Sequence, residues 1–164
     1  MPNDSSLLID AAHAAFIEGG VSITVAACDR ANMPFLARAC GCKVTGDGRV
    51  TIFVSATQAA QVLTCARDNG AVAVVFSQPS THRTLQLKGS DAAVGPLADG
   101  DLQRIRAYRE AFAQDVQKLG FAKILIRTLL SYPSGDIVAL GFTPSEAFSQ
   151  TPGPKAGEPL RAGA

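Results

Sequence analysis

Ser80-Thr81-His82-Arg83-Thr84-Leu85-Gln86-Leu87-Lys88-Gly89 is the stretch on which the fold depends. From Thr84 the residues alternate strictly. Leu85 and Leu87 fall on one face and Thr84, Gln86 and Lys88 on the other, the period of a β-strand with one buried side. An outward face carrying a hydroxyl, an amide and an ammonium suits a polar ligand groove, and it equally suits an ordinary half-exposed antiparallel strand. Gly89 within the run marks a bulge or a close backbone approach. The order of the neighbouring elements decides what this strand belongs to.

Immediately upstream, Ala71 to Phe76 is continuously apolar and reads as a strand buried on both sides. Before it, Thr57 caps a helix expected from Gln58 to Asp68, stopped by Asn69-Gly70. Three further strands precede that helix. Val21 to Cys28 is rich in β-branched residues, with Val21, Ile23 and Val25 on one side. Asp29 to Asn32 turns the chain into a run from Met33 to Val44. Thr45 to Gly48 turns it again into Arg49 to Ser55, with Val50, Ile52 and Val54 inward. Tight turns leave no room for the long crossovers of a parallel sheet. A first helix, capped by Ser5 or Ser6, carries Leu8, Ala11, Ala12, Ala15 and Phe16 at helical spacing.

Downstream, the strand of Thr84 is expected to continue to about Val94. Asp99 or Asp101 caps a long helix with Leu102, Ile105, Phe112, Val116 and Leu119 on one face. Arg104, Arg106, Arg109, Glu110 and Gln114 read as its solvated side. A short helix within Phe121 to Leu130 and a last strand from Asp136 to Phe142 follow. The fold class is therefore mainly β, a β-barrel with flanking helices: six antiparallel strands in a small closed barrel of Greek-key type. Residues 1–149 read as one domain and 150–164, beginning Gln-Thr-Pro-Gly-Pro, as a flexible C-terminal tail.

Bulk properties exclude several function classes. In 164 residues, 47% hydrophobic and 18% charged, the composition is globular. Fifteen basic against fourteen acidic residues leave a formal charge of +1, giving no electrostatic pointer to nucleic acid or to an anionic membrane. The N-terminus lacks the basic region of a signal peptide, and no apolar run is long enough for a membrane helix, so a cytoplasmic location is expected. Cys28, Cys40, Cys42 and Cys65 do not form a disulfide framework, and the one-residue spacer of Cys40-Gly41-Cys42 is too short for a structural zinc site. On a regular strand both of those thiols point to one face, so a thiol-redox role for them ranks last. No metal is expected.

The chain resembles the pyridoxamine 5′-phosphate oxidase-like family, the split barrels that bind flavin mononucleotide (FMN). Three segments carry the resemblance over roughly residues 15 to 145: Arg38-Ala39-Cys40-Gly41-Cys42-Lys43, Ser55-Ala56-Thr57 before the helix, and Arg83 to Gly89. It implies a homodimer with a flavin in each of two clefts between the subunits. It gives Arg38 and Lys43 contacts to the phosphate or ring, and lays the backbone of Ala39, Cys40 and Gly41 along the isoalloxazine. Thr84 meets the ring, with Gln86 nearby. The helix start at Ser55, Ala56 and Thr57 receives the phosphate, which the free N–H groups and dipole of a helix N-terminus also favour.

Two departures accompany the resemblance. Arg38 and Lys43, five residues apart, share a face only if the strand bulges, and Gly41 is where that bulge is expected. The family's hydroxyl and basic residues in the first turn of the phosphate helix are replaced by Ala60, Gln61 and Val62. Losing one charge-assisted hydrogen bond, about 1.5–3 kcal/mol, weakens binding by roughly 10- to 100-fold. Arg38, Ser55, Thr57, Gln61 and backbone N–H groups remain as donors.

The leading reading is an FMN-binding oxidoreductase whose substrate and reductant are unknown; the flavin would supply the electron chemistry. No match to the pyridoxal-phosphate-binding residues of the true oxidase is present, which speaks against activity on pyridoxamine phosphate. The alternative is a non-catalytic split-barrel module with weak or lost FMN binding, or one taking haem or another planar ligand. No catalytic acid or base stands out. His82, the only histidine near the expected cleft, reads first as an exposed turn residue.

Overall fold

A computed structural model describes residues 8–160. The caps expected at Ser5 and Ser6 lie outside the described residues. The first helix, α1 (Ala11–Ile17), is capped instead by Asp10, whose carboxylate accepts from the His13 N–H.

Three antiparallel strands follow, β1 (Ser22–Cys28), β2 (Pro34–Val44) and β3 (Val50–Ser55). Next come α2 (Ala60–Asn69), β4 (Val72–Ser77) and β5 (Thr84–Gly89). On β5, Leu85 and Leu87 are buried while Thr84, Gln86 and Lys88 are half-exposed, the alternation the sequence requires. Gly70 closes α2 in the left-handed conformation at φ +71°.

Among the described residues the sheet has eight strands rather than six. Besides β7 (Ile137–Phe142) there are two short ones: β6 (Ala93–Gly95), paired with β7, and β8 (Glu146–Ser149), paired with β5. The order is β6-β7-β3-β2-β1-β4-β5-β8, and the outermost strands do not pair, so the expected closed barrel is an open, curled one. The curl is tight where β5 meets the end of β7. A Cβ at Gly89 would stand 2.7 Å from the Phe142 ring, which ends β5 there and sends β6 to a different partner. The segment after Gln150, read as a tail, returns along β8. Ser149 N–H donates to Glu158 O at 2.9 Å and Leu160 N–H to Ala147 O at 2.8 Å.

The inner face is one continuous apolar core, built from Ile23, Val25, Ile52, Val54, Val74, Phe76, Leu87, Leu140 and Phe142, with Val62, Leu63 and Ala66 of α2 packed against it. The outer face is divided. Over β2, β3 and β7 lies α3 (Asp101–Gln117), whose Ile105 closes a second small cluster with Cys40, Phe53 and Ile137. Over β1, β4 and β5 no helix is laid among the described residues, and Ser22, Thr24, Ala26, Ala73, Val75 and Gln86 are all half-exposed. β4 therefore alternates, contrary to the two-sided burial its composition suggests: Val72, Val74 and Phe76 point inward and Ala73 and Val75 outward.

The short helix α4 (Lys123–Leu129) packs on α3. Glu110 accepts from Lys123 at 2.9 Å and from Arg127 at 2.8 Å, and Arg109 donates to the Arg127 carbonyl at 3.1 Å. These α3 residues, expected to be solvated, hold the helix pair together, whereas Leu102 and Leu119, expected inward, are exposed.

Candidate functional site

The site is best built from β2, because its two halves serve different neighbours. Ala37 and Ala39 face the core, and Arg38 faces out. Between Ala39 and Cys42 the register against β3 shifts, with Gly41 at φ +156° as the extra residue. Cys42 then faces the core, while Lys43 returns to the outer side. The bulge thus puts Arg38 and Lys43 on one face, as expected. It also separates the two thiols, correcting the expectation for a regular strand: Cys40 lies in the outer cluster and Cys42 in the core. All four cysteines are free; burial pushes the Cys40 thiol up to about 12 and Cys42 well above its ordinary range. A thiol held protonated this way is a poor nucleophile.

Lys43 and Arg38 nevertheless have different surroundings. Lys43 Nζ lies 2.7 and 2.9 Å from the two carboxylate oxygens of Asp101, which is only 2% exposed. Asp101 also accepts from the Ala98 N–H at 2.8 Å, fixing the start of α3 above the bulge. Ile105 covers Gly41 and Cys40 from above. Among the described residues Arg38 has a single hydrogen bond, to Ser22 Oγ at 3.0 Å, and it is half-buried where the covered and open halves of the outer face meet.

From Arg38 the open half extends across four strands. Arg38 pairs with Thr24, Thr24 with Val75, and Val75 with Gln86, so the four stand in one row on the same side. At roughly 4.8 Å per strand the row spans about 14 Å. The next row contains Ser22, Ser77 and Thr84; Thr84 Oγ1 is 2.8 Å from Ser77 Oγ. Arg38, Thr84 and Gln86, proposed from sequence as lining one cleft, therefore share one sheet face. Gln86 contacts Gln150 and the Thr84 N–H donates to Thr151, both of the returning segment. His82 is exposed in the preceding turn, as its first reading has it.

Ala39 pairs with Val54, and the next residues along, Arg38 and Ser55, both face outward. Ser55 opens the turn into α2. Its hydroxyl accepts from the Gln58 N–H at 3.1 Å and so supplies the cap expected of Thr57; α2 begins at Ala60 with no side-chain cap of its own. Thr57 is engaged elsewhere: its N–H and hydroxyl donate to Asp136 Oδ1 at 3.1 and 2.6 Å, and the Ser55 hydroxyl donates to Asp136 Oδ2. The Ala56 N–H donates to the Asp136 carbonyl at 2.6 Å. These bonds hold the Asp136 carboxyl below the usual carboxylate range.

Two hollows flank this turn. One, of about 430 Å³, lies between Ser55, Thr57, Tyr132 and Asp136. The other, of about 350 Å³, lies between Leu36, Gln58, Ala60 and Gln61. Gln61 is exposed, and Val62 is buried under α2. Sequence reading named Asp101 only as a helix cap, a place the structure gives to Gly100, and it did not single out Tyr132 or Asp136. Asp136 lies 81 residues from Ser55, and only the Ser134-Gly135 turn before it hinted at its placement.

No family model and no curated protein sequence matches this chain. Solved structures do. HupZ of Group A Streptococcus is 17% identical with a TM-score of 0.54, covering 91% of this chain and 99% of that one. An F420 reductase is 13% identical with a TM-score of 0.53, covering 85% and 98%. A candidate pyridoxamine 5′-phosphate oxidase of Lactobacillus delbrueckii is 10% identical with a TM-score of 0.53, covering 89% and 97%. The fold is thus that of the pyridoxamine 5′-phosphate oxidase-like split barrels, antiparallel with flanking helices. Among the described residues no helix is long and apolar enough to cross a membrane.

The residues fit the FMN of such barrels in part. The open face of small and polar side chains suits a planar ring. The turn expected to receive the phosphate fits less well: the Ser55 and Thr57 hydroxyls and the Thr57 N–H are engaged by the Asp136 carboxylate, and Lys43 by Asp101, leaving Arg38 and Gln61 of the expected side-chain donors.

Proposed function

We propose that this chain is a split-barrel flavin-binding protein, working as a homodimer whose two copies shelter the ring against the open outer face. Ala26, Ala73 and Val75 carry this reading. They make a half-exposed apolar strip, two of its three residues on β4, whose sequence is apolar at every position from Ala71 to Phe76. A ring or a second copy laid there removes that strip from water, at about 25 cal/mol per Å² of apolar surface.

Arg38 would contact the ring or its side chain from the boundary of that face, with Thr24, Thr84 and Gln86 along the row. Ala39, Cys40, Gly41 and Lys43 keep the bulge in place and position Arg38. Ser55, Thr57 and Gln61 border the two hollows at the turn into α2, and Ala56 lies within that turn. The bound flavin would supply redox chemistry, and an F420 reductase of the same fold supports an oxidoreductase.

The engaged phosphate donors favour a second reading, the binding module with weakened FMN affinity. Titration with FMN, followed by flavin fluorescence, tests the flavin proposal; unchanged fluorescence at every protein concentration refutes it. Reduction of the bound flavin by a nicotinamide cofactor would favour the oxidoreductase over the module. Sedimentation at several concentrations tests the dimer.

A further inference from the structure

Asp136 ends a one-turn helix, Ser134–Asp136, that leads straight into β7. Its backbone is fixed by the pairing of the next residue, Ile137, with Ser55, and by the Ala56 N–H on its carbonyl. The carboxylate is thereby delivered to the mouth of the turn into α2. There it receives two hydroxyl donors and one backbone N–H, the chemistry with which a split barrel would hold a phosphate oxygen. Among the described residues Asp136 makes no ion pair, and hydroxyl and backbone N–H donors alone hold its carboxylate. A phosphate placed there would displace the carboxylate or lie against a like charge.

We propose that Asp136 is a built-in substitute for the ligand phosphate, so that this chain takes a flavin ring without anchoring a phosphate at the turn into α2. The proposal rests on the flavin reading for its ligand but not for its anion position. Protonation does not free the position at neutral pH, because the same hydrogen bonds keep the carboxyl ionised.

The wild-type protein and Asp136→Ala are titrated with FMN, riboflavin and inorganic phosphate, using fluorescence for the flavins and calorimetry for phosphate. Wild type is expected to bind FMN and riboflavin within about 3-fold of each other and to give no heat with phosphate. In Asp136→Ala, FMN is expected to bind about 10-fold or more tighter than riboflavin, with phosphate competing.

A wild-type preference for FMN of about 10-fold or more overturns the proposal. So does a folded Asp136→Ala protein in which neither phosphate nor FMN gains affinity. Asp136→Ser, which keeps a hydroxyl towards Thr57, repeats the test should the alanine variant fail to fold, and the wild-type ratio needs no variant. If no flavin binds any of these proteins while phosphate binds Asp136→Ala, the role of Asp136 stands and the flavin reading falls.

Discussion

The two halves of β2 carry one cation each on the same side of the sheet, yet only one of those cations is committed. Beyond the Gly41 bulge, Lys43 is clamped by a nearly inaccessible Asp101 beneath α3, its Nζ 5.7 Å from the Phe53 ring centre. Before the bulge, Arg38 has one neutral partner among the described residues and a half-exposed face beside it. The difference comes from what lies on top, not from the strand itself. A carboxylate at the start of the covering helix makes the lysine structural. The arginine has no such carboxylate among the described residues, which is why the proposed ligand contact falls to it.

The sharpest way to break this contrast is Lys43→Met. It leaves the Asp101 carboxylate buried without its cation, and should cost about 3–5 kcal/mol in urea unfolding. A loss below about 1 kcal/mol would mean that the covered half is wetter than its burial indicates. Gly41→Ala comes next. A Cβ there would stand 3.1 Å from the Phe53 ring at a φ few L-residues adopt, and a loss of about 1–3 kcal/mol is expected. A neutral outcome would show the bulge adjusting without that glycine.

Arg38→Ala should act in the opposite sense. Thermal unfolding should change by about 1 kcal/mol or less, since one neutral hydrogen bond is removed. Flavin affinity should fall by about 10-fold or more. Unchanged affinity would place the ligand elsewhere.

The smallest expected effect concerns the clamp that holds α4 against the covering helix. Lys123 and Arg127 lower the Glu110 carboxyl from 4.5 to about 2. A carboxyl lowered by folding stabilises the protein above its unfolded value, and this contribution is lost as pH falls from 4.5 towards about 2. Glu110→Gln should therefore flatten the acid limb of the stability curve in that window and leave Arg38-dependent binding unchanged. An identical acid limb in the variant would remove the clamp from consideration.

Much of this arrangement was legible in the sequence because it is local. Alternation at Leu85 and Leu87, and at Val21, Ile23 and Val25, fixed which sides of those strands are buried. The bulge at Gly41 followed from the resemblance, which asks Arg38 and Lys43, five residues apart, to serve one cleft. β6 and β8, at three and four residues, are too short to display a period. β4 misled because every residue from Ala71 to Phe76 is apolar, while a single chain buries only every second one. The carboxylates that engage Lys43 and Ser55, those of Asp101 and Asp136, come from distant segments, and no propensity or spacing links them to those residues in advance.

The segment returning along β8 has a consequence for how molecules of this protein meet. Without it, β8 would offer its free backbone groups to any other extended chain, the template from which sheets grow between molecules. Here Glu158 and Ala147 use those groups internally, and Pro152, Pro154 and Pro159 lack the N–H needed to extend the ladder further. Its contribution is thus to solubility: a chain cut before Gln150 would keep its core yet expose a growing point for aggregation.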